Sequence, residues 1–200
     1  SNNHTMKRYS ELTDEELIKL YRSGDDSAFS VLVYRHKNRI FTTIMLLVKD
    51  RHLAEDIFQD VFIKIINALN EGHYLDNSRF IAWAVRIAHN CCISHFRKKN
   101  ARPSFALIYN DDITSGDNRM DPSQEQLIIT RETNTAVQAL MDRLPETQRE
   151  ALILRYYADL SFKEIAQTVN VGINTALGRV RYAIINMRKL MEREAVEAVF

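Results

Sequence analysis

Thr175, Gly178, Arg179 and Tyr182 lie at helical spacing, with Asn174 just before them and Arg181 and Arg188 alongside. Side chains of these types on one helix face suit hydrogen bonding to base edges and charge contact with phosphates. Something must hold that face outward. Ala176, Val180, Ala183 and Met187 repeat at the four-three-four step of one buried stripe on the same helix. A shorter helix precedes it. Ser161 and Glu164 form a capping-box pair, and Ile165, Ala166 and Val169 give an apolar face. Asn170 and Gly172 mark the sharp turn between the two helices, since both residue types tolerate positive φ, and Val171 between them reads as an apolar plug. The stretch from Ser161 to Met191 therefore reads as a helix-turn-helix whose second helix enters the DNA major groove. An ordinary helical hairpin with a solvated basic face is the alternative. The agreement of cap, turn and polar outer face favours DNA.

Two further clusters carry charge at helical spacing. Glu55, Asp56, Gln59 and Asp60 form an acidic patch on a helix predicted from about Arg51 to Asn70. Leu53, Ile57, Val61, Ile65 and Leu69 run along that helix four apart, and Phe58, Phe62 and Ile66 make the stripe wide for a one-sided helix. The patch is either a solvated face or a docking surface for a basic or helical partner. The next helix, predicted from about Ser78 to Lys99, offers Arg86, Asn90, Arg97, Lys98 and Lys99 to solvent or phosphate. His73 and Tyr74 sit in the loop before it, and Trp83 reads as a core anchor rather than a stacking platform.

The remaining elements are also helical. Thr13 and Glu16 make a second capping box for a helix ending at Gly24, and a longer helix runs from about Ser27 to Val48 with a basic band of Arg35, His36, Lys37 and Arg39. From Asn100 to Gln124 the helical period stops, and four aspartates stand against two arginines. That segment reads as an acidic linker in which FALIY, residues 105–109, could dock as an extended piece. Pro122 and Pro145 each start a further helix. The expected fold is all-α, two small helical bundles joined by a linker. Its divisions are a tail over 1–10, a first domain over 11–100, the linker over 101–121 and a second domain over 122–200.

Composition narrows the function classes. Apolar residues make up 46% and charged residues 26% of 200 residues, as in an ordinary globular protein. The net charge of +1 hides a basic end, because Arg179 to Arg193 carries five cations against Glu192. Five scattered glycines exclude a P-loop and a dinucleotide-binding fingerprint, and no HExxH or nucleophile–base arrangement occurs. The six histidines lack zinc-ligand spacing, and adjacent Cys91 and Cys92 read as small core residues. The expectation is a non-enzyme with no catalytic residues, no metal, no cofactor and no small-molecule substrate. No apolar run approaches the roughly 20 residues that span a bilayer, and SNNHTMKRYS lacks a signal core, so a cytoplasmic location is expected.

Set beside known families, DRHLAEDIFQDVFIKIINAL followed by FIAWAVRIAHNCCISHFRKK resembles domain two of bacterial extracytoplasmic-function sigma factors. LPETQREALILRYYADLSFKEIAQTVNVGINTALGRVRYAIINMRKL resembles their domain four. The resemblance implies a sigma factor that binds core RNA polymerase and directs promoter-specific initiation. It implies that Asp56, Gln59, Asp60 and Phe62 grip the polymerase clamp. It places a captured, flipped base of the proximal promoter element near His73, Tyr74, Arg86 and Asn90, with Arg97, Lys98 and Lys99 on the DNA backbone. The distal element would be read by Asn174, Thr175, Gly178, Arg179 and Tyr182, with Arg181 and Arg188 on phosphates. The implied partners are core polymerase, promoter DNA and an anti-sigma factor, often membrane-anchored. The chain departs from the family pattern at Ser94, where many members have aspartate. It departs again at Asn174 to Arg179, where NTALGR replaces the usual GTVKSR. The alternative is a free-standing helix-turn-helix regulator with an N-terminal helical sensor or dimerisation domain.

Overall fold

A computed structural model describes residues 8–74, 78–98 and 135–198. From Asp14 onward the described residues form eight α-helices, with no strand among the described residues. The chain divides into two compact units, Ser1–His95 and Phe96–Phe200. The expected linker over 101–121, its FALIY piece, Lys99 and the helix start at Pro122 lie outside the described residues.

The first unit begins with α1 (Asp14–Arg22), closed at its start by the Thr13–Glu16 capping box and at its end by Ser23. Gly24 follows at φ +102°, a conformation that favours glycine. Next comes α2 (Asp26–Val48), which Asp25 caps by accepting from the Ser27 amide at 3.1 Å. In α3 (Arg51–Asn70) the cap is Asp50, accepting from the Leu53 amide at 3.0 Å. The last helix of this unit is α4 (Phe80–Lys98), starting two residues later than expected. Ile57, Val61, Ile65 and Leu69 of α3 face the core, together with Leu17, Leu32, Ile40, Ile44, Phe80 and Val85. The extra aromatic width of α3 is only half-buried. Phe58 lies edge-on to Phe41 of α2 at 5.6 Å and against Phe62 at 4.8 Å.

Two members of the basic band of α2, Arg35 and His36, are tied to Asp14. Arg35 Nη1 and His36 Nε2 each lie 2.8 Å from a carboxylate oxygen of Asp14, and His36 is buried. Arg35 also donates to the Leu12 and Ser10 carbonyls at 2.9 and 3.3 Å. These two residues thus pin the start of α1. Burial alone would raise the Asp14 carboxyl, but the hydrogen bonds and charges of His36 and Arg35 hold it below its ordinary value.

The second unit contains α5 (Thr135–Met141), α6 (Glu146–Tyr156), α7 (Phe162–Val169) and α8 (Ile173–Glu197). Both α6 and α7 pack on α8 through Leu152, Ile153, Ile165, Ala176, Val180, Ala183 and Met187, all buried. Arg149 of α6 is buried and its Nε donates to Asp142 at 3.1 Å. Desolvation lowers the guanidinium pKa, and the Asp142 charge opposes that shift. Asn186 of α8 donates to Gln148 of α6 at 2.8 Å, which fixes the rotation of α8 on its neighbour.

Candidate functional site

The helix-turn-helix is built as its residues require. The Ser161 hydroxyl accepts from the Glu164 amide at 3.2 Å, and the Ser161 amide donates to the Glu164 carboxylate at 3.2 Å. Arg155 donates to the Leu160 carbonyl at 2.9 Å and lies over the Phe162 ring at 4.7 Å, fixing the entry to α7. Asn170 ends α7 in the left-handed conformation at φ 56°. Gly172 does not share that conformation. It is the N-cap of α8 at φ −68°, because the single left-handed residue at Asn170 has already reversed the chain.

Asn174, Thr175, Tyr182 and Arg188 of α8 are exposed, while Gly178, Arg179 and Arg181 are half-exposed. Opposite them lie Ala176, Val180, Ala183 and Met187 in the core. A side chain added at Gly178 would meet nothing within 4 Å, so packing does not demand the glycine. Ile173 was absent from the expected face, yet it is 52% exposed at the first position of α8. Its position ahead of Asn174 was legible, but an apolar type alone reads as core.

On α3, Asp56, Gln59 and Asp60 are exposed and Phe62 is half-buried. Ile63, which sequence reasoning missed, is 57% exposed. It lies seven residues after Asp56, two turns along the same meridian, and that spacing was the available signal. Acidic and apolar groups therefore share one outward face. Asp60 also lies 3.3 Å from His95 Nε2, tying α3 to α4.

On α4, Arg86, Asn90, Arg97 and Lys98 are exposed. Arg86, Asn90 and Arg97 fall within about 40° of one meridian at 3.6 residues per turn. Arg79, seven residues before Arg86, is also exposed. His73 is exposed and lies 3.2 Å from Glu71. Tyr74 is different. Its side chain is buried, with its ring edge-on to Trp83 at 5.0 Å and its hydroxyl donating to the Ser78 carbonyl at 2.7 Å. The structure therefore places Tyr74 inside the α3–α4 connection rather than on its outer surface. Lys99 lies outside the described residues. Cys91 and Cys92 are buried, and burial pushes the Cys91 thiol up.

Among the described residues, no group of three metal-ligating side chains could hold an ion, and no helix is long and apolar enough to cross a membrane. Fold and surface together define a two-unit helical protein with a helix-turn-helix, a polar-cationic helix and an acidic-apolar face. Sigma-70 region 2 matches residues 32–102, and Sigma-70 region 4 matches residues 134–179. The chain is 31% identical to the RNA polymerase sigma-H factor of Pseudomonas aeruginosa over 189 residues, covering 91% of this chain and 97% of that protein. It is 27% identical to the ECF RNA polymerase sigma factor SigW of Bacillus subtilis, covering 90% and 97%. The sigma factor RpoE of Bartonella quintana, solved with the anti-sigma factor NepR, shares the fold. Its TM-score is 0.60 at 21% identity, over 82% of this chain and 96% of that one. The chain belongs to the extracytoplasmic-function sigma factors, which direct transcription initiation by bacterial RNA polymerase.

Proposed function

We infer that the three outward faces divide the work of initiation. The α3 face, Asp56, Gln59, Asp60 and Phe62 with Ile63 added, docks on core polymerase by charge and apolar contact. His73, Arg86 and Asn90 receive an unstacked base of the proximal element, and Arg97, Lys98 and Lys99 hold its backbone. An extrahelical base needs hydrogen-bonding edges, and a displaced strand needs cations along its phosphates. Tyr74 contributes by closing the connection beneath them. Asn174, Thr175, Gly178, Arg179 and Tyr182 read the distal element, with Arg181 and Arg188 on phosphates.

The observation that carries this reading is the partition of α8. Its apolar stripe is buried, while the polar and cationic positions at its N-terminal end stay open, as a major-groove helix requires. The protein acts in the cytoplasm, supplies no catalytic step of its own and needs no cofactor. The Bartonella quintana sigma factor is solved in complex with an anti-sigma factor, and a partner of that class holds this chain inactive by covering these faces. The test is transcription with core polymerase on promoters carrying single base changes. Arg179→Ala should lose the response to distal changes, and Asn90→Ala the response to proximal ones. The same loss from both variants would contradict the division of labour.

A further inference from the structure

Helix α1 precedes the region 2 match, which begins at residue 32, and none of the roles assigned above uses it. Its two ends are nevertheless tied to different parts of the first unit. At its start, Asp14 holds Arg35 and His36 of α2. At its end, Arg22 Nη2 donates to the Tyr74 carbonyl at 3.3 Å, across 52 positions of sequence, and its guanidinium lies 6.0 Å from the centre of the Tyr74 ring. Tyr74 in turn bridges the α3–α4 connection. Its own carbonyl is held by Arg22, its hydroxyl donates to the Ser78 carbonyl at 2.7 Å, and the residue is 3% exposed, with its ring against Trp83 and Phe80. His73, the adjacent residue, stands exposed.

We propose that Arg22 is a positioning residue for capture of the proximal-element base: it fixes the Tyr74 carbonyl, and through Tyr74 it sets where His73 stands relative to α4. The proposal rests on the assignment of His73, Arg86 and Asn90 to that base. Unstacking a base already costs free energy, and fixing Tyr74 and His73 at the moment of binding would add to that cost. A Tyr74 already held by α1 reduces that second cost. Arginine suits the task, because its rigid fork can donate to a carbonyl while its plane rests near an aromatic ring. Arg22 simply anchoring α1 is the competing explanation. An anchor would affect stability and every promoter alike.

The experiment uses the full chain with core polymerase and measures open-complex yield with each of the four bases at each proximal-element position. Arg22→Ala should reduce discrimination between the preferred base and the others by about 3- to 10-fold, the range of one ordinary hydrogen bond. Binding to core polymerase and discrimination at the distal element should stay unchanged. Arg22→Lys, which keeps a donor near the carbonyl, should recover part of the loss. Tyr74→Phe, which frees Ser78, should shift discrimination in the same direction as Arg22→Ala. His73→Ala and Asn90→Ala serve as the direct arm. If those two leave proximal discrimination intact, the site assignment fails and the proposal with it. If they reduce discrimination while Arg22→Ala does not, or if Arg22→Ala weakens every promoter equally, the positioning role is overturned and the site assignment stands.

Discussion

Gly178→Ala separates two demands on α8. Glycine inside a helix costs about 1 kcal/mol relative to alanine. A Cβ at position 178 would meet nothing within 4 Å, so no steric penalty offsets that gain. The residue is mid-helix and outside the positive-φ positions, so alanine adopts its backbone without strain. The substitution should therefore stabilise the second unit by about 1 kcal/mol, raising its melting transition by roughly 4–8 °C for a domain of this size. The same methyl group sits on the outward side, between Thr175 and Tyr182. If close approach to the groove is what the glycine supplies, distal-element-dependent initiation should fall by about fivefold, near 1 kcal/mol. Calorimetry of the full chain and transcription on promoters with and without the distal element measure the two effects. A melting transition that stays put or falls would refute the local energetics. A rise without any change in distal dependence would refute the close-approach role.

Other perturbations address the remaining faces. Arg179→Ala should weaken distal-element recognition by about 1–3 kcal/mol, the worth of a bidentate base contact, as read by promoter competition. Asp56→Lys with Asp60→Lys should reduce binding to core polymerase on every promoter alike, measured by titration of labelled protein. Asp14 gives a pH prediction. Its folded-state pKa is depressed, so its stabilisation is complete above its unfolded value of about 3.9. That stabilisation is lost as pH falls through the lower folded value. Asp14→Asn should cost about 1–2 kcal/mol at neutral pH and flatten the acid limb in denaturant titrations.

Local chemistry was the most legible part of this chain. The Thr13–Glu16 and Ser161–Glu164 boxes each pair neighbours three apart, and both are present. The limits of α3 follow from the sequence for the same reason, with Asp50 capping it and Gly72, at φ +73°, just past its end. What escaped depends on distant partners. Tyr74 reads as an open loop aromatic until Arg22 and Trp83 close around it. Arg35 and His36 read as a basic surface until Asp14, over 20 residues earlier, takes both. Ile63 and Ile173 belong to neither expected stripe, and their exposure is set by which helix faces find neighbours. Asn170 and Gly172 both read as turn residues that tolerate positive φ, but one left-handed residue suffices and Asn170 supplies it.

The most direct measurement is run-off transcription with purified core polymerase on a library of genomic promoters, with and without this protein. The expected result is new initiation at a restricted set of promoters, with little sequence-specific DNA binding by the protein alone. Tight, specific binding of the isolated chain to one operator, with no added initiation on any template, would contradict its role as a polymerase specificity subunit.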